Sequence, residues 1–188
     1  SARTATATAT PARTATASAT PASNTAVLRI NAGGEQQTVG GAIWAACTAS
    51  SCNGYVSGGS AYRENDSNTG VPQNMNNAIF QTEWTGGTTQ GIAAGNTAFS
   101  FALPLANGSY TVKLYFVELN KFAAGRRIFD VAAEGNTVLD DYDIYVRAGG
   151  ANKVVVETFT IATNDGTLNL DFITGVENAK ISAIEVLR

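Results

Sequence analysis

The sequence contains no histidine, only two cysteines and one methionine among its 188 residues. The absence of histidine removes the commonest general base and proton shuttle of enzymes. Two cysteines are too few for a structural zinc site, which takes about four cysteine or histidine ligands. We therefore predict neither a metal nor any other cofactor.

Positive charge and long apolar runs are also scarce. The chain has 12 Lys and Arg against 15 Asp and Glu, and its densest basic feature is the pair Arg126 and Arg127. Nucleic-acid-binding proteins cluster basic residues on one face, so we predict no nucleic-acid partner. The apolar runs 114–117 and 154–156 fall far short of the roughly 20 residues that cross a bilayer, so we predict no membrane span.

The two cysteines, Cys47 and Cys52, enclose the short loop CTASSC. Their proximity fits either a local disulfide or two free thiols. A tract rich in Thr, Ser, Ala and Pro at the start of the chain is typical of exported proteins, in which disulfides form. This composition favours the disulfide and an extracellular or cell-surface location.

What the sequence does contain indicates β-structure. It has 19 glycines, abundant Thr, Val, Ile, Phe and Tyr, 44% hydrophobic residues and 14% charged residues. This composition is typical of strands joined by frequent turns, in a chain long enough to bury one core. We predict one all-β domain over residues 25–188, preceded by an arm over residues 1–24.

Alternation of apolar and polar side chains locates the strands. In TAFSFAL, Phe99, Phe101 and Leu103 share one face, and YTVKLYFVE repeats the pattern. Residues 40–70 are rich in Gly, Ser and Asn and are predicted to form a long ordered loop, whereas residues 134–136 and 164–166 resemble hairpin turns. Strands are predicted at 26–31, 79–84, 97–103, 110–118, 127–132, 154–161, 167–173 and 179–187. Eight or more short strands with such turns predict an antiparallel β-sandwich or jelly roll.

Acidic residues are the remaining candidates for chemistry. A pair of carboxylates can hydrolyse a glycosidic bond, but the sequence alone does not bring two of them together. We interpret them as solvated or turn-capping groups and predict no enzyme. Residues 140–143 (DDYD) lack the glycine and distal glutamate of an EF-hand loop, and we interpret them as an aspartate-rich turn. The carboxylates considered are Glu83, Glu118, Asp130, Asp141, Asp143, Glu157 and Glu177.

Several segments together resemble the malectin-like domain family, in the order in which that family has them. They are INAGGE (30–35), IFQTEW (79–84), YTVKLYFVEL (110–119), RRIFDVAAEGNTVLDDYDI (126–144) and AKISAIEV (179–186). The resemblance covers nearly all of residues 25–188. It implies a jelly-roll β-sandwich, in agreement with the strand pattern.

The resemblance also implies a place for an oligosaccharide. In sugar-binding members, loop aromatics at one end of the sandwich hold a glucose-containing disaccharide, with an acidic residue near the final strand. The family's first tyrosine falls near Tyr62, an aromatic on the IFQTEW segment falls on Phe80 or Trp84, and the acidic residue falls near Glu177. The family's aromatic pair after the FxE strand falls on Asn120 and Lys121, with Phe122 beside them.

The arm consists of a ten-residue unit written twice, ARTATATATP and ARTATASATP. Because ten is even, an extended arm places its threonines on one face and its alanines on the other. Each proline ends a pairing segment, because it cannot donate to a sheet. The residues that would pair are Thr4, Ala5, Thr6, Ala7, Thr8 and Ala9 in the first unit and Thr14, Ala15, Thr16 and Ala17 in the second.

Two functional hypotheses follow from these features. In the first, the protein is a non-catalytic extracellular subunit that assembles into a filament or array when its arm adds a strand to a neighbouring copy. In the second, it is a carbohydrate-binding module for a glucan-type or other oligosaccharide, and the arm is a flexible O-glycosylated linker. We favour the first hypothesis from the sequence, and the two do not exclude one another.

Overall fold

A computed structural model describes residues 25–52, 54–86 and 95–188, and most of these residues lie in strands. The strands are β1 Ala26–Ala32, β2 Gln37–Val39, β3 Ala42–Cys47, β4 Val56–Gly58, β5 Ser60–Arg63, β6 Thr82–Thr85, β7 Thr97–Pro104, β8 Gly108–Val117, β9 Ile128–Ala133, β10 Asn136–Tyr142, β11 Val154–Thr163, β12 Thr167–Val176, β13 Lys180–Ile181 and β14 Ala183–Leu187. A 3₁₀-helix, Asn77–Gln81, precedes β6, and one short helix, α1 Ile144–Ala148, follows β10. Among these residues, no helix is long and apolar enough to span a bilayer.

Two large sheets form the sandwich, which confirms the predicted all-β class. One sheet has the order β11-β8-β14-β1-β3-β2, and the other has the order β10-β9-β12-β7-β4. Pairing within them is antiparallel except between β1 and β3, which run parallel. A third, smaller sheet has the order β13-β6-β5 and carries part of the site described below.

The core lies between the two large sheets and follows the alternation in the sequence. Phe99, Phe101 and Leu103 of β7 are buried, as predicted, and lie beside Phe172, Leu170 and Leu168 of the neighbouring strand β12 in the same sheet. The rings of Phe99 and Phe172 stack with centroids 4.5 Å apart. A second cluster around Trp44, Phe80 and Tyr115 covers the opposite face of the six-stranded sheet.

Several predicted elements differ from those in the structure. The predicted loop 40–70 contains β3, β4 and β5, and the acidic edge strand β10 was not predicted. Residues 79–84 begin in the 3₁₀-helix, whose start is capped because the side chain of Asn76 accepts a hydrogen bond from the amide of Ile79 at 3.3 Å. The strand therefore starts only at Thr82.

The turn at residues 164–166 was predicted to close a hairpin, and that prediction was wrong. It connects β11 to β12, which lie in different sheets, whereas β11 pairs with β8. By contrast, residues 134–136 do close a hairpin between β9 and β10. Turn residues specify a chain reversal but not the strand beside which the chain continues.

One glycine of the INAGGE segment brings β1 against β6. Gly33 has a φ of +74°, and a Cβ atom there would lie 2.0 Å from the carbonyl oxygen of Glu83. Only glycine permits both this backbone conformation and this approach. The contact positions Glu83 at the end of the sandwich where the candidate site lies.

Candidate functional site

A cleft at one end of the sandwich has a volume of about 170 Å³. It brings together four residues selected from the sequence, namely Tyr62, Asn120, Lys121 and Glu177. Four further lining residues were not predicted as binding residues: Glu83, Thr85, Arg127 and Asn178. The cleft therefore combines one aromatic ring with carboxylate, ammonium, guanidinium, amide and hydroxyl groups.

Four chain segments build this cleft. Tyr62 of β5 lies directly opposite Glu83 of β6 in the small sheet. Asn120 and Lys121 follow β8, while Arg127 immediately precedes β9. Glu177 and Asn178 connect β12 to β13, next to the pairing of Val176 with Ile128. Residues far apart in sequence thus meet where several strands end.

The floor of the cleft is a buried chain of ion pairs. The ammonium group of Lys180, whose side chain is 0% exposed, pairs with Glu83 and lies 3.7 Å from Glu118 Oε1. Glu118 Oε2 accepts a hydrogen bond from Arg127 Nε at 2.7 Å. Two carboxylates and two cations therefore neutralise one another beneath the surface, as buried charges must.

Glu118 stays ionised within this chain. Burial alone would raise its pKa, but the positive charges of Lys180 and Arg127 and the hydrogen bond from Arg127 hold the pKa below its usual range. These attractions outweigh desolvation because both cations are close and share the low-dielectric environment. A carboxyl group in this state is an acceptor and not a proton donor.

The same carboxylate shapes the loop that carries two cleft residues. Glu118 Oε1 accepts hydrogen bonds from the backbone amides of Asn120 and Lys121, at 3.0 and 3.1 Å. Glu118 therefore connects the buried ion pairs to the surface of the cleft. The sequence alone shows Glu118 only as a charged residue at the end of an apolar strand and does not reveal this role.

An ion pair between Lys121 and Glu177 forms part of the rim. Lys121 Nζ donates to Glu177 Oε1 at 2.6 Å, and this hydrogen bond contributes most to lowering the pKa of Glu177. Glu177 has a φ of +61°, a left-handed conformation that non-glycine residues seldom adopt. The same two residues line a neighbouring cavity of about 130 Å³ that also includes Gly125, Arg126 and Val176.

Tyr62 supplies the aromatic wall of the cleft. Its hydroxyl donates to Glu64 Oε2 at 3.1 Å, and the side chain is half-buried. Burial and then the bond to Glu64 raise the pKa of the hydroxyl, although Asn120 opposes this effect. The phenol is therefore neutral and offers an apolar ring face beside polar groups.

The other predicted aromatic residues lie outside the cleft. Phe80 is 0% exposed within the second core cluster, and Trp84 is 5% exposed with its Nε1 donating to the carbonyl of Gly58 at 3.0 Å. Neither side chain is exposed enough to contact a ligand, so the prediction of Phe80 and Trp84 as carbohydrate-binding residues was wrong. Phe122 is 69% exposed and does not line the cleft.

The remaining predictions have mixed outcomes. Cys47 and Cys52 form the expected disulfide. The arm residues Thr4, Ala5, Thr6, Ala7, Thr8, Ala9, Thr14, Ala15, Thr16 and Ala17 lie outside the described residues. The interpretation of residues 140–143 as a turn was wrong for residues 140–142, which lie in β10, whereas Asp143 caps α1 by accepting from the amide of Val146 at 3.2 Å. Within residues 25–52, 54–86 and 95–188, no group of three or more Asp, Glu, Cys or His side chains could hold a metal ion.

Fold and cleft together define an all-β sandwich protein with a polar, charge-paired cleft at one end. Comparison with known families identifies it more closely, because the malectin domain model matches residues 26–184. The chain belongs to the malectin domain family.

Two relatives of the chain are longer than the chain itself. Malectin-B of Xenopus laevis is 26% identical over 106 residues, covering 48% of this chain and 38% of that protein. A probable LRR receptor-like serine/threonine-protein kinase of Arabidopsis thaliana is 28% identical over 160 residues, covering 76% of this chain and 17% of the kinase. The chain thus spans well under two thirds of either relative.

Solved structures share the fold. The crystal structure of the ANX2 ectodomain from Arabidopsis thaliana matches with a TM-score of 0.73 at 16% identity. The match covers 86% of this chain and 49% of the ectodomain. At 16% identity, this similarity supports a shared fold and nothing further.

Proposed function

We propose that the chain is an extracellular, non-catalytic carbohydrate-binding module whose ligand occupies the cleft around Tyr62. One observation carries this proposal: the cleft places a single aromatic ring beside Asn120, Lys121 and Glu177. Apolar C–H patches of a sugar pack on such a ring, while the surrounding donors and acceptors bind its hydroxyls. With a volume of about 170 Å³, the cleft is smaller than typical small-molecule pockets.

Binding is favoured over hydrolysis by the ionisation of the carboxyl groups. A glycosidase needs a carboxylic acid whose pKa is raised so that it can protonate the leaving group. Here the pKa values of Glu118 and Glu177 are both lowered, by the cations beside them. Neither group is suited to be a general acid, so we assign the cleft no catalytic role.

The test is a glycan array followed by titration of the best ligand into Tyr62→Ala and Tyr62→Phe. Removing the ring should weaken binding about tenfold or more, whereas Phe should retain most of the affinity because it keeps the ring face. Tyr55→Ala is the matched control, since Tyr55 is 42% exposed and does not line the cleft. An array without binding, or equal affinity of Tyr62→Ala and the unmodified protein, would contradict the proposal.

We also propose a second function, self-assembly through the arm. The observation that favours it is the presence of open sheet edges: among the described residues, β11 and β10 each pair with a strand on one side only. Such an edge offers free N–H and C=O groups to an added strand. A filament follows when each arm docks head-to-tail on the next copy.

Removing the arm tests this second function. A chain that begins at Asn24 should stay monomeric at concentrations at which the full chain forms polymers, as measured by sedimentation. Circular dichroism and the thermal midpoint of both chains serve as folding controls. Polymers of unchanged size without the arm would exclude the arm as the assembly element.

A further inference from the structure

We infer that the acceptor for the arm is the free side of β11 over residues 156–162, here called the β11 edge. This inference rests on the self-assembly proposed above and names the surface that assembly would use. The occupant is residues 4–10 or 14–20 of a neighbouring copy. The following features distinguish this edge from the others.

β11 is the longest and most regularly paired edge strand among the described residues. β11 pairs with β8 over ten consecutive residues without a shift in register. The edge strands β2 and β4 have only three residues each, and β10 has two shifts in register against β9. β10 also carries Asp140 and Asp141, which disfavour a close neighbouring strand.

Hydrogen bonding fixes which backbone groups point to the free side. The amide of Val154 points away from β8 and donates to the carbonyl of Thr69 at 2.9 Å. Alternate residues of an antiparallel strand point the same way, so the N–H and C=O groups of Val156, Thr158, Thr160 and Ala162 also point outward. No described backbone group pairs with them on that side.

The β11 edge lacks the features with which proteins usually block strand addition. Residues 156–162 contain no proline, lysine or arginine, and their one charged residue, Glu157, is held by Arg147 Nε at 2.8 Å. Edges that must remain unpaired normally carry charges, prolines or bulges. This edge has none of these features facing outward.

The side chains on both faces of the edge match the arm. On the inner face, Phe159 and Ile161 pack on the core but remain only half-buried. On the outer face, Thr158 and Thr160 are exposed. An added strand with alanines inward and threonines outward would cover the half-buried apolar side chains and place threonine beside threonine, a favourable cross-strand pair.

The two arm segments also match the β11 edge in length. Seven residues separate Arg3 from Pro11, and seven separate Arg13 from Pro21. The β11 edge also has seven residues, and such a strand is about 23 Å long. Each proline would fall just beyond the paired stretch, where its missing N–H does no harm.

Hydrogen exchange on the full chain, with sedimentation at the same concentrations, tests the inference. We expect the amides of Val156, Thr158, Thr160 and Ala162 to exchange rapidly in the dilute monomer and at least tenfold more slowly in the assembled protein. Assembled protein whose edge amides still exchange rapidly would overturn the inference and leave self-assembly intact. A chain that remains monomeric at every concentration would overturn self-assembly itself.

The same exchange data distinguish docking on a neighbouring copy from docking within one chain. Edge amides protected in the monomer would mean that the arm docks on its own chain, which overturns the neighbouring copy as donor.

A pair of variants at Thr160 provides a second test. Thr160→Pro removes an outward N–H and should raise the concentration needed for assembly at least tenfold, whereas Thr160→Val keeps the N–H and should not. Equal assembly of the two variants would count against the β11 edge.

Discussion

Lys180 is a lysine without exposed surface, and it lies beneath the candidate cleft. Its ammonium group pairs with Glu83 and approaches Glu118, which also binds Arg127. A buried pair seldom adds net stability, but the loss of one partner leaves an uncompensated charge. Lys180 therefore permits two carboxylates to lie at and beneath the surface of the candidate cleft.

Replacement of Lys180 by methionine should be severely destabilising. We expect a loss of about 3–5 kcal/mol in the free energy of unfolding, because Glu83 and Glu118 would lose their shared cation. Urea denaturation measures this loss. The double variant Lys180→Met/Glu83→Gln should recover part of it, since one of the stranded negative charges is removed with the cation.

A surface lysine provides the control. Lys113 is 34% exposed in its side chain and lies 3.5 Å from Glu185. Lys113→Met should change stability by no more than about 1 kcal/mol, because Lys113 is partly solvated and Arg29 remains paired with the buried Glu185. If Lys180→Met behaved like Lys113→Met, the buried ion pairs would not have the role given to them here.

Among the elements, the sequence predicted those strands whose side chains alternate over a long stretch. β7, β8 and β12 were found because Phe99, Leu114 and Phe172 belong to rows of buried residues on one face. β10 was missed because an edge strand with acidic residues need not show an apolar row. The short strands β3 to β5 were hidden in Gly- and Ser-rich sequence, where pairing with distant strands decides the conformation.

The candidate site was predictable only in part, and for a related reason. Tyr62, Asn120, Lys121 and Glu177 followed from the family resemblance. Phe80 and Trp84 followed from the same resemblance, but a matching segment does not show which face of the sheet an aromatic side chain takes, and both side chains are buried. Lys180 acquires its role from Glu83 and Glu118, which lie far away in sequence, so no local pattern reveals it. Arg127 acquires its role from the fold, which brings it beside Glu118.

Asn107 is one of the residues that join two connections between the large sheets. Asn107 Nδ2 donates to the carbonyl of Asn164 at 2.9 Å, and Asn107 Oδ1 accepts from the amide of Gly166 at 2.8 Å. One side chain thereby joins the turn after β7 to the turn after β11. The mistaken hairpin prediction at residues 164–166 concerned the second of these turns.

Loss of this bridge should have a moderate effect. We expect Asn107→Ala to lower the free energy of unfolding by about 1–2 kcal/mol, since two hydrogen bonds of about 1 kcal/mol each are lost. Asn136→Ala is the matched control, because the side chain of Asn136 donates to the carbonyl of Glu134 within its own hairpin and so joins no separate turns. A thermal or urea series in which both variants lose the same stability would argue against a special role for Asn107.

For the whole molecule, titration behaviour follows from the lack of histidine. The pH range in which the fold is most stable is limited on the acid side by carboxyl groups with lowered pKa values and on the alkaline side by tyrosines with raised pKa values. Glu118 has a pKa held below its ordinary value of 4.5 by Lys180 and Arg127 despite its burial. Tyr142 has a pKa raised above its ordinary value of 10.0, first by burial and then by Glu157, whose Oε1 accepts its hydroxyl hydrogen bond at 3.1 Å.

The signs of these shifts predict a broad plateau of stability. A depressed carboxyl pKa stabilises the fold above 4.5, and this stabilisation is lost as the pH falls through the folded value. A raised tyrosine pKa stabilises the fold below 10.0, and this stabilisation is lost as the pH rises through the folded value. Between about pH 5 and pH 9 no side chain with an ordinary pKa titrates, so the free energy of unfolding should be nearly constant there.

Urea denaturation across a pH series tests the plateau and assigns its two limits. Glu118→Gln should reduce the fall on the acid side, because the variant has no carboxylate at position 118. Tyr142→Phe should reduce the fall on the alkaline side without abolishing it, because burial and Glu185 also raise the pKa of Tyr115. Each variant should leave the opposite limit unchanged, so each is the control for the other. A stability transition centred near pH 6–7 would require a strongly shifted group other than these two and would contradict the assignment.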